Sequence, residues 1–181
     1  MAAYVAGDRG AFRELFERYA APLERLLVRD LGQREEARDL VQQTFLQLHR
    51  ARLDFDPSKR LKPWLYTIAM NLKRELFRRR KRRPERSDAE AAERKPVEPR
   101  GQQQTEARRS LDWALERIPS DQREVIELHW LAELSFPELA ASIGISVAAA
   151  KVRAHRGYVR LRELLGEADA PSGNPTPGGA L

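Results

Sequence analysis

Between Lys73 and Arg83 the chain carries eight basic side chains and one acidic one, Glu75. Just upstream stand two aromatic residues, Trp64 and Tyr66, and a mid-helix asparagine, Asn71. Lysine and arginine neutralise phosphates, and ring faces stack on unpaired bases. A carboxamide both donates to and accepts from a base edge. Together these groups suit single-stranded nucleic acid. The plainer readings are a solvated basic face and aromatics that belong to a core. A second basic cluster, Lys151, Arg153, His155, Arg156 and Arg160, follows a capped turn at Ser146. Cations on a helix behind such a turn suit the major groove of a duplex.

The charge distribution sharpens this reading. Net charge is +6, but residues 1–83 hold 20 Lys/Arg against 11 Asp/Glu. Residues 111–146 hold 2 against 7, and residues 147–166 hold 5 against 1. Repulsion should keep the acidic stretch off DNA while the helix after Ser146 is drawn to it. Other chemistries find little to work with. There is no cysteine, and His49, His129 and His155 are isolated, so no metal and no cofactor are expected. No clustered carboxylates, phosphate-cradling glycine loop or nucleophile–base pair points to an enzyme. No apolar run reaches the roughly 20 residues of a membrane span. The first ten residues lack the apolar core of a secretory signal, so a cytoplasmic protein is expected.

The positions of these residues follow from helical periodicity. Phe12, Leu15, Phe16, Tyr19, Leu23, Leu26, Leu27 and Leu31 recur in steps of three and four from Asp8 to Gly32, with Pro22 expected to bend or break the run. A second helix is predicted from Arg34 to Arg52, with Ala37, Leu40, Val41, Thr44, Phe45 and Leu48 on one face. A third is predicted from Pro63, with Leu65, Ile68, Ala69, Leu72 and Leu76 inward and Trp64, Tyr66, Asn71, Lys73 and Arg74 on other faces. Residues 84–109 contain no Leu, Ile, Phe, Trp or Tyr and read as a flexible linker, with helix returning near its end. A second domain follows from Ser110. Its Ser135/Glu138 capping box, Gly144 turn and Ser146 cap spell a helix-turn-helix from Ser135 to about Gly157, the final helix running on to about Leu165. Residues 167–181, rich in Pro and Gly, read as a disordered tail. The expected fold class is all-α: two small helical domains joined by a linker.

The stretches "DLVQQTFLQLHRAR", "KPWLYTIAMNLKRELFRRRKR", "ALERIPSDQREVIELHWLAELSFPELAASIGIS" and "KVRAHRGYVRLRELL" together resemble the extracytoplasmic-function (ECF) sigma factors of bacterial RNA polymerase. The resemblance covers about residues 8–83 and 110–166, in the family's order. It implies a region 2-like domain over 1–83, a linker over 84–109 and a region 4-like domain over 110–166. It also implies function: a sigma factor that is no enzyme and that directs promoter recognition, −10 melting and transcription initiation. Core polymerase would be met by Asp39, Leu40, Gln43, Phe45 and Leu46. The −10 strand would be met by Trp64, Tyr66, Asn71, Lys73, Arg74, Arg78 and Arg79, and duplex −35 DNA by Lys151, Val152, Arg153, His155 and Arg156. The implied partners are core RNA polymerase, promoter DNA and an anti-sigma factor, without membrane insertion.

The sequence departs from the family's pattern at several positions. Gln43 stands where the family usually has glutamate, and Glu133 where a glycine is common. Ala149 lacks the threonine hydroxyl that would contact a phosphate, and Ala150 and Ala154 replace larger aliphatic residues, which implies either loose packing of the recognition helix or an unusual −35 preference. The rival reading is a stand-alone helix-turn-helix regulator. Such proteins often dimerise on paired half-sites, but that reading leaves the basic surface of the first domain unused.

Overall fold

The computed structural model describes residues 1–82 and 106–166, and every regular element in them is helical. In chain order these are α1 (Ala2–Val5), α2 (Arg9–Leu31), α3 (Arg34–Arg50), a 3-10 turn (Arg52–Asp54), α4 (Leu61–Arg82), α5 (Glu106–Arg117), α6 (Ser120–Trp130), α7 (Phe136–Ile143) and α8 (Val147–Leu165). Most of the expected linker and the whole expected tail fall outside the described residues. Residues 106–109, expected in the linker, already belong to α5.

Helix α2 starts where Asp8 accepts from the Gly10 N–H at 2.7 Å and stops at Gly32, whose φ of 74° releases the chain from the helix. It runs on through Pro22, against expectation. A proline inside a helix costs about 3 kcal/mol. Each fully buried leucine returns about 1.5–3 kcal/mol, and Leu15, Leu23, Leu26, Leu27 and Leu31 hold both halves of α2 in one core. Thr44 sits in that core because its hydroxyl donates to the Leu40 carbonyl at 2.7 Å. Tyr4 of α1 packs on Phe12 and hydrogen-bonds His49.

The capping box forms as the sequence predicts. The Ser135 N–H donates to Glu138 Oε2 at 2.8 Å, and the serine hydroxyl accepts from the Glu138 N–H. Gly144 at φ 73° turns the chain, and Ser146 caps α8 by accepting from the Ala149 N–H at 3.1 Å. Ser120 is the first residue of α6, and Pro119 precedes it at the cap position without a side-chain hydrogen bond. Glu133, at φ 51°, holds a left-handed backbone conformation that a glycine would adopt without strain. Its carboxylate pairs with Lys62 Nζ at 2.8 Å.

The small residues of α8 do not loosen it. Ala150 and Ala154 are fully buried, and a Cβ on Gly157 would lie 2.6 Å from Ile126 Cδ1. Small side chains on this stripe let α8 approach α6 closely, so the expectation of loose packing is corrected. The two halves of the chain also pack on each other. One apolar core joins Leu65, Ile68, Ala69 and Met70 of α4 to Val125, Leu128, Leu139, Ala140 and Ile143, with α4 lying against α7. A satellite cluster of Ala114, Leu115, Ile118, Ile126 and Leu161 fastens α5 and α8 to α6.

Overpacking the close stripe should therefore be costly. Ala154→Leu is expected to destabilise the protein by about 1–3 kcal/mol, read as a lower midpoint in chemical denaturation. An unchanged midpoint would mean that α8 has room to spare.

Candidate nucleic-acid interface

Helix α8 presents Lys151, Val152, His155 and Arg156 to solvent on one face, opposite buried Ala150, Ala154, Gly157 and Leu161. Arg153 is half-buried, and its Nε lies 3.4 Å from Asp121 Oδ2, so one α8 cation is already paired with α6. The periodicity of the helix creates this division. Small residues recur at three- and four-residue steps, which puts the longer polar side chains together on the other face.

The candidate −10 residues are arranged differently. Arg78 and Arg79 are exposed, with Arg79 paired to Glu75 one turn away. Trp64 is partly buried against the core, and its ring centroid lies 5.1 Å from that of Phe55. Tyr66, read from periodicity as facing outward, is 1% exposed and belongs to the core. Burial pushes its phenol up to about 12. In this arrangement no base can stack on it.

Lys73 and Arg74 face the second half of the chain. Lys73 is 5% exposed, with its ammonium 2.6 Å from Asp30 Oδ2 and 2.5 Å from Glu124 Oε1. Burial works against that charge, but Glu124 and Asp30 outweigh it and hold the lysine above its ordinary value. Arg74 donates to the carbonyls of Ile143 at 2.6 Å and Ser142 at 2.8 Å, the last carbonyls of α7. The same guanidinium donates to Asn71 Oδ1 at 2.6 Å, so the asparagine's acceptor is occupied.

A wider ionic network surrounds these contacts, and sequence reasoning missed it. Arg123 Nη2 donates to Asp30 Oδ1 at 2.9 Å, and Arg29 Nη1 donates to Glu127 Oε1 at 2.7 Å. Arg29 also pairs with Asp112, Arg60 pairs with Glu138 at 3.1 Å, and Lys62 reaches Glu133. Nearly all these pairs join a residue before position 75 to one after position 110. The signal was present in the charges: the acidic stretch 111–146 complements the basic first half. Glu127 is the most deeply buried acid of the set, at 1% exposure. Burial pushes its carboxyl up to about 7; Arg29 opposes the shift and Asp30 adds to it. Its second oxygen and Arg123 Nε have no hydrogen-bond partner.

The candidate polymerase-contact residues also divide. Asp39, Gln43 and Leu46 are exposed on one side of α3, whereas Leu40 and Phe45 lie in the core. Phe45 is held by Phe12 and Phe16, with ring centroids at 6.1 and 4.9 Å. Leu40 and Phe45 therefore support the α3 surface from beneath and are not part of it.

Comparison with known proteins fits this geometry. Residues 15–83 match the family Sigma-70 region 2, and residues 108–161 match Sigma-70, region 4. RNA polymerase sigma factor CarQ of Myxococcus xanthus is 39% identical over 165 residues, covering 89% of this chain and 92% of CarQ. ECF RNA polymerase sigma factor SigW of Bacillus subtilis is 30% identical over 172 residues, covering 88% and 91%. Among solved structures, sigma factor RpoE in complex with the anti-sigma factor NepR from Bartonella quintana aligns with a TM-score of 0.72 at 28% identity, over 86% of this chain and 96% of that one. CnrH in complex with the cytosolic domain of CnrY aligns at 0.61 and 30% identity, over 91% and 93%.

The raised Glu127 value sets a pH dependence. From its ordinary value of 4.5 up to about 7 the folded chain holds this proton and the unfolded chain does not. Stability from this group is therefore full below 4.5 and fades as pH rises through 7. Glu133 and Glu138, whose values are lowered, act oppositely, but their contribution fades only as pH falls below the ordinary carboxylate value. Denaturant titrations from pH 5.5 to 8 should show stability falling with pH, with a flatter slope in Glu127→Gln. An identical slope in the variant would remove Glu127 as the source.

Proposed function

Because the chain belongs to the sigma-70 family of RNA polymerase sigma factors, in its extracytoplasmic-function group, we propose that it carries core polymerase to promoters through two DNA-reading units, 1–83 and 110–166. The observation that supports this most is that each family-matched segment brings its own basic helix, α4 and α8. A stand-alone regulator would need only the second.

In this reading Asp39, Gln43 and Leu46 of α3 meet core polymerase. Lys151, Val152, His155 and Arg156 read the −35 duplex, with Arg153 joining them after release from Asp121. Asn71, Lys73, Arg74, Arg78 and Arg79 hold the displaced −10 strand, with Trp64 at the edge of that surface. The protein does no catalysis itself and works in the cytoplasm; no helix among the described residues is long and apolar enough to cross a membrane. An anti-sigma factor is a proposed partner, supported by the neighbour solved with the anti-sigma factor NepR.

Energetics support a division of labour with the polymerase. Unstacking a promoter step costs about 1.4 kcal/mol, and stacking on an aromatic returns about 1–3 kcal/mol per base. With Tyr66 buried, fewer rings are available, and polymerase contacts must carry more of the melting.

Purified protein with core polymerase should start transcription from a cognate promoter, selected from a randomised pool, and protein alone should show no specific duplex binding. Tight specific binding without polymerase would favour the regulator. Arg156→Ala should weaken −35-dependent binding of the holoenzyme by about 1–3 kcal/mol if it meets a base edge; an unaltered −35 preference removes it from the site. Asn71→Ala should impair open-complex formation more than core binding, and equal open-complex yields across −10 variants would reject its role.

A further inference from the structure

The middle of α2, the entry of α4 and the segment between α6 and α7 enclose an open-mouthed cavity of about 610 Å³. Pockets for small molecules run from about 300 to 1,000 Å³. Three cations line this one: Arg18 of α2, and Arg60 and Lys62 at the entry of α4. The lining holds one carboxylate, Glu133. Pro22, Leu61 and Leu131 form an apolar wall, and Tyr19 adds a partly buried ring. Tyr66, although buried, also lines the cavity. Among the described residues its hydroxyl has no hydrogen-bond partner. A phenol pushed up to about 12 by burial keeps its proton at neutral pH and remains a donor. None of the residues proposed above for polymerase or promoter contact lines this cavity.

We propose that the cavity is a binding site for a free nucleoside polyphosphate, with Arg18, Arg60 and Lys62 on the phosphates, the base against Tyr19 and the apolar wall, and the Tyr66 hydroxyl donating to the ligand.

The cations are available for this. Arg18 pairs with no acid among the described residues. Arg60 and Lys62 are paired, at 3.1 Å with Glu138 and 2.8 Å with Glu133, but both pairs can be exchanged. Glu138 keeps the Ser135 N–H at 2.8 Å and the Ser135 hydroxyl at 2.7 Å when Arg60 turns away. The Glu133 side chain is 77% exposed, so its released carboxylate returns to water. Exposed ion pairs are weak, whereas a phosphate offers charged oxygens that an arginine can meet in pairs. The N-terminal turn of α4 adds partial positive charge. The mixed lining selects the class of ligand. An inorganic anion would leave the apolar wall in water, and an uncharged ring would leave three cations unused. A phosphorylated nucleoside satisfies both, and its base can stack on the Tyr19 ring.

Leu131 and Glu133 belong to the second half of the chain and the other lining residues to the first, so the test uses the full chain. Isothermal titration calorimetry takes ATP and GTP as probes and inorganic tripolyphosphate and adenosine as controls. At least one of the two nucleotides should bind saturably, and both controls about tenfold more weakly or worse. Arg18→Ala should weaken nucleotide binding by about tenfold, the loss of one charge-assisted hydrogen bond, and Tyr66→Phe should weaken it several-fold. Glu133→Gly removes the competing carboxylate and suits the left-handed backbone there, so it should tighten binding several-fold. Arg82→Ala, exposed on the basic end of α4 and outside the cavity, should change nothing. Circular dichroism checks that each variant folds. Absence of saturable binding of either nucleotide, in wild type and in Glu133→Gly, overturns the proposal. Tripolyphosphate binding as tight as the nucleotide's, or equal losses in Arg82→Ala and Arg18→Ala, would reduce the site to a basic surface and overturn it as well. Displacement of the nucleotide by a single-stranded −10 oligonucleotide, itself weakened by Arg18→Ala, would overturn it by assigning the cavity to the promoter strand.

Discussion

Everything in the arrangement of the two halves turns on one buried ammonium. Lys73 projects from the middle of α4 into a space closed by α2 and α6, and a lone cation cannot remain there. Asp30 and Glu124 make it tolerable, one from each half of the chain. Asp30 in turn takes Arg123. The lysine therefore ties the placement of α6 to that of α2 and α4. The apolar seam supplies adhesion, and the charges fix its register.

Much of the architecture was legible in the sequence. The stripe of α3, the capping box at Ser135, the Gly144 turn and the Ser146 cap all follow from local rules and appear as those rules dictate, and the α2 stripe does so except at Phe16, which is exposed. Local rules failed where tertiary packing intervened. Pro22 does not break α2, because leucines on both sides share one core. Tyr66 left the outward face assigned by the α4 stripe, because a second layer of helices covers α4 on that side. A helical stripe marks the face turned to one neighbour; α4 has two.

The candidate site was legible in composition more than in arrangement. The basic run of α4 and the basic face of α8 could be named from spacing. Both helices offer exposed cations, but the α4 run also commits Lys73, Arg74 and Arg80 to contacts within the fold. The acidic stretch 111–146 had been understood by what it would repel. Its carboxylates act at least as strongly by what they attract, and Asp112, Glu124, Glu127, Glu133 and Glu138 all face cations of the first half. Charge segregation along a chain that folds back on itself is a statement about self-recognition as well as about ligands.

Gly144 places two demands on one residue. It turns the chain between α7 and α8, which sets the angle at which α8 leaves the domain, and it leaves the space that Arg74 fills. Most hinge-like or turn glycines answer to backbone geometry alone, so a small residue tolerant of positive φ can drift in. Here such drift would alter the DNA-facing helix and the internal seam together. One substitution there therefore acts on two things at once, the backbone of the recognition turn and the room left for the Arg74 guanidinium.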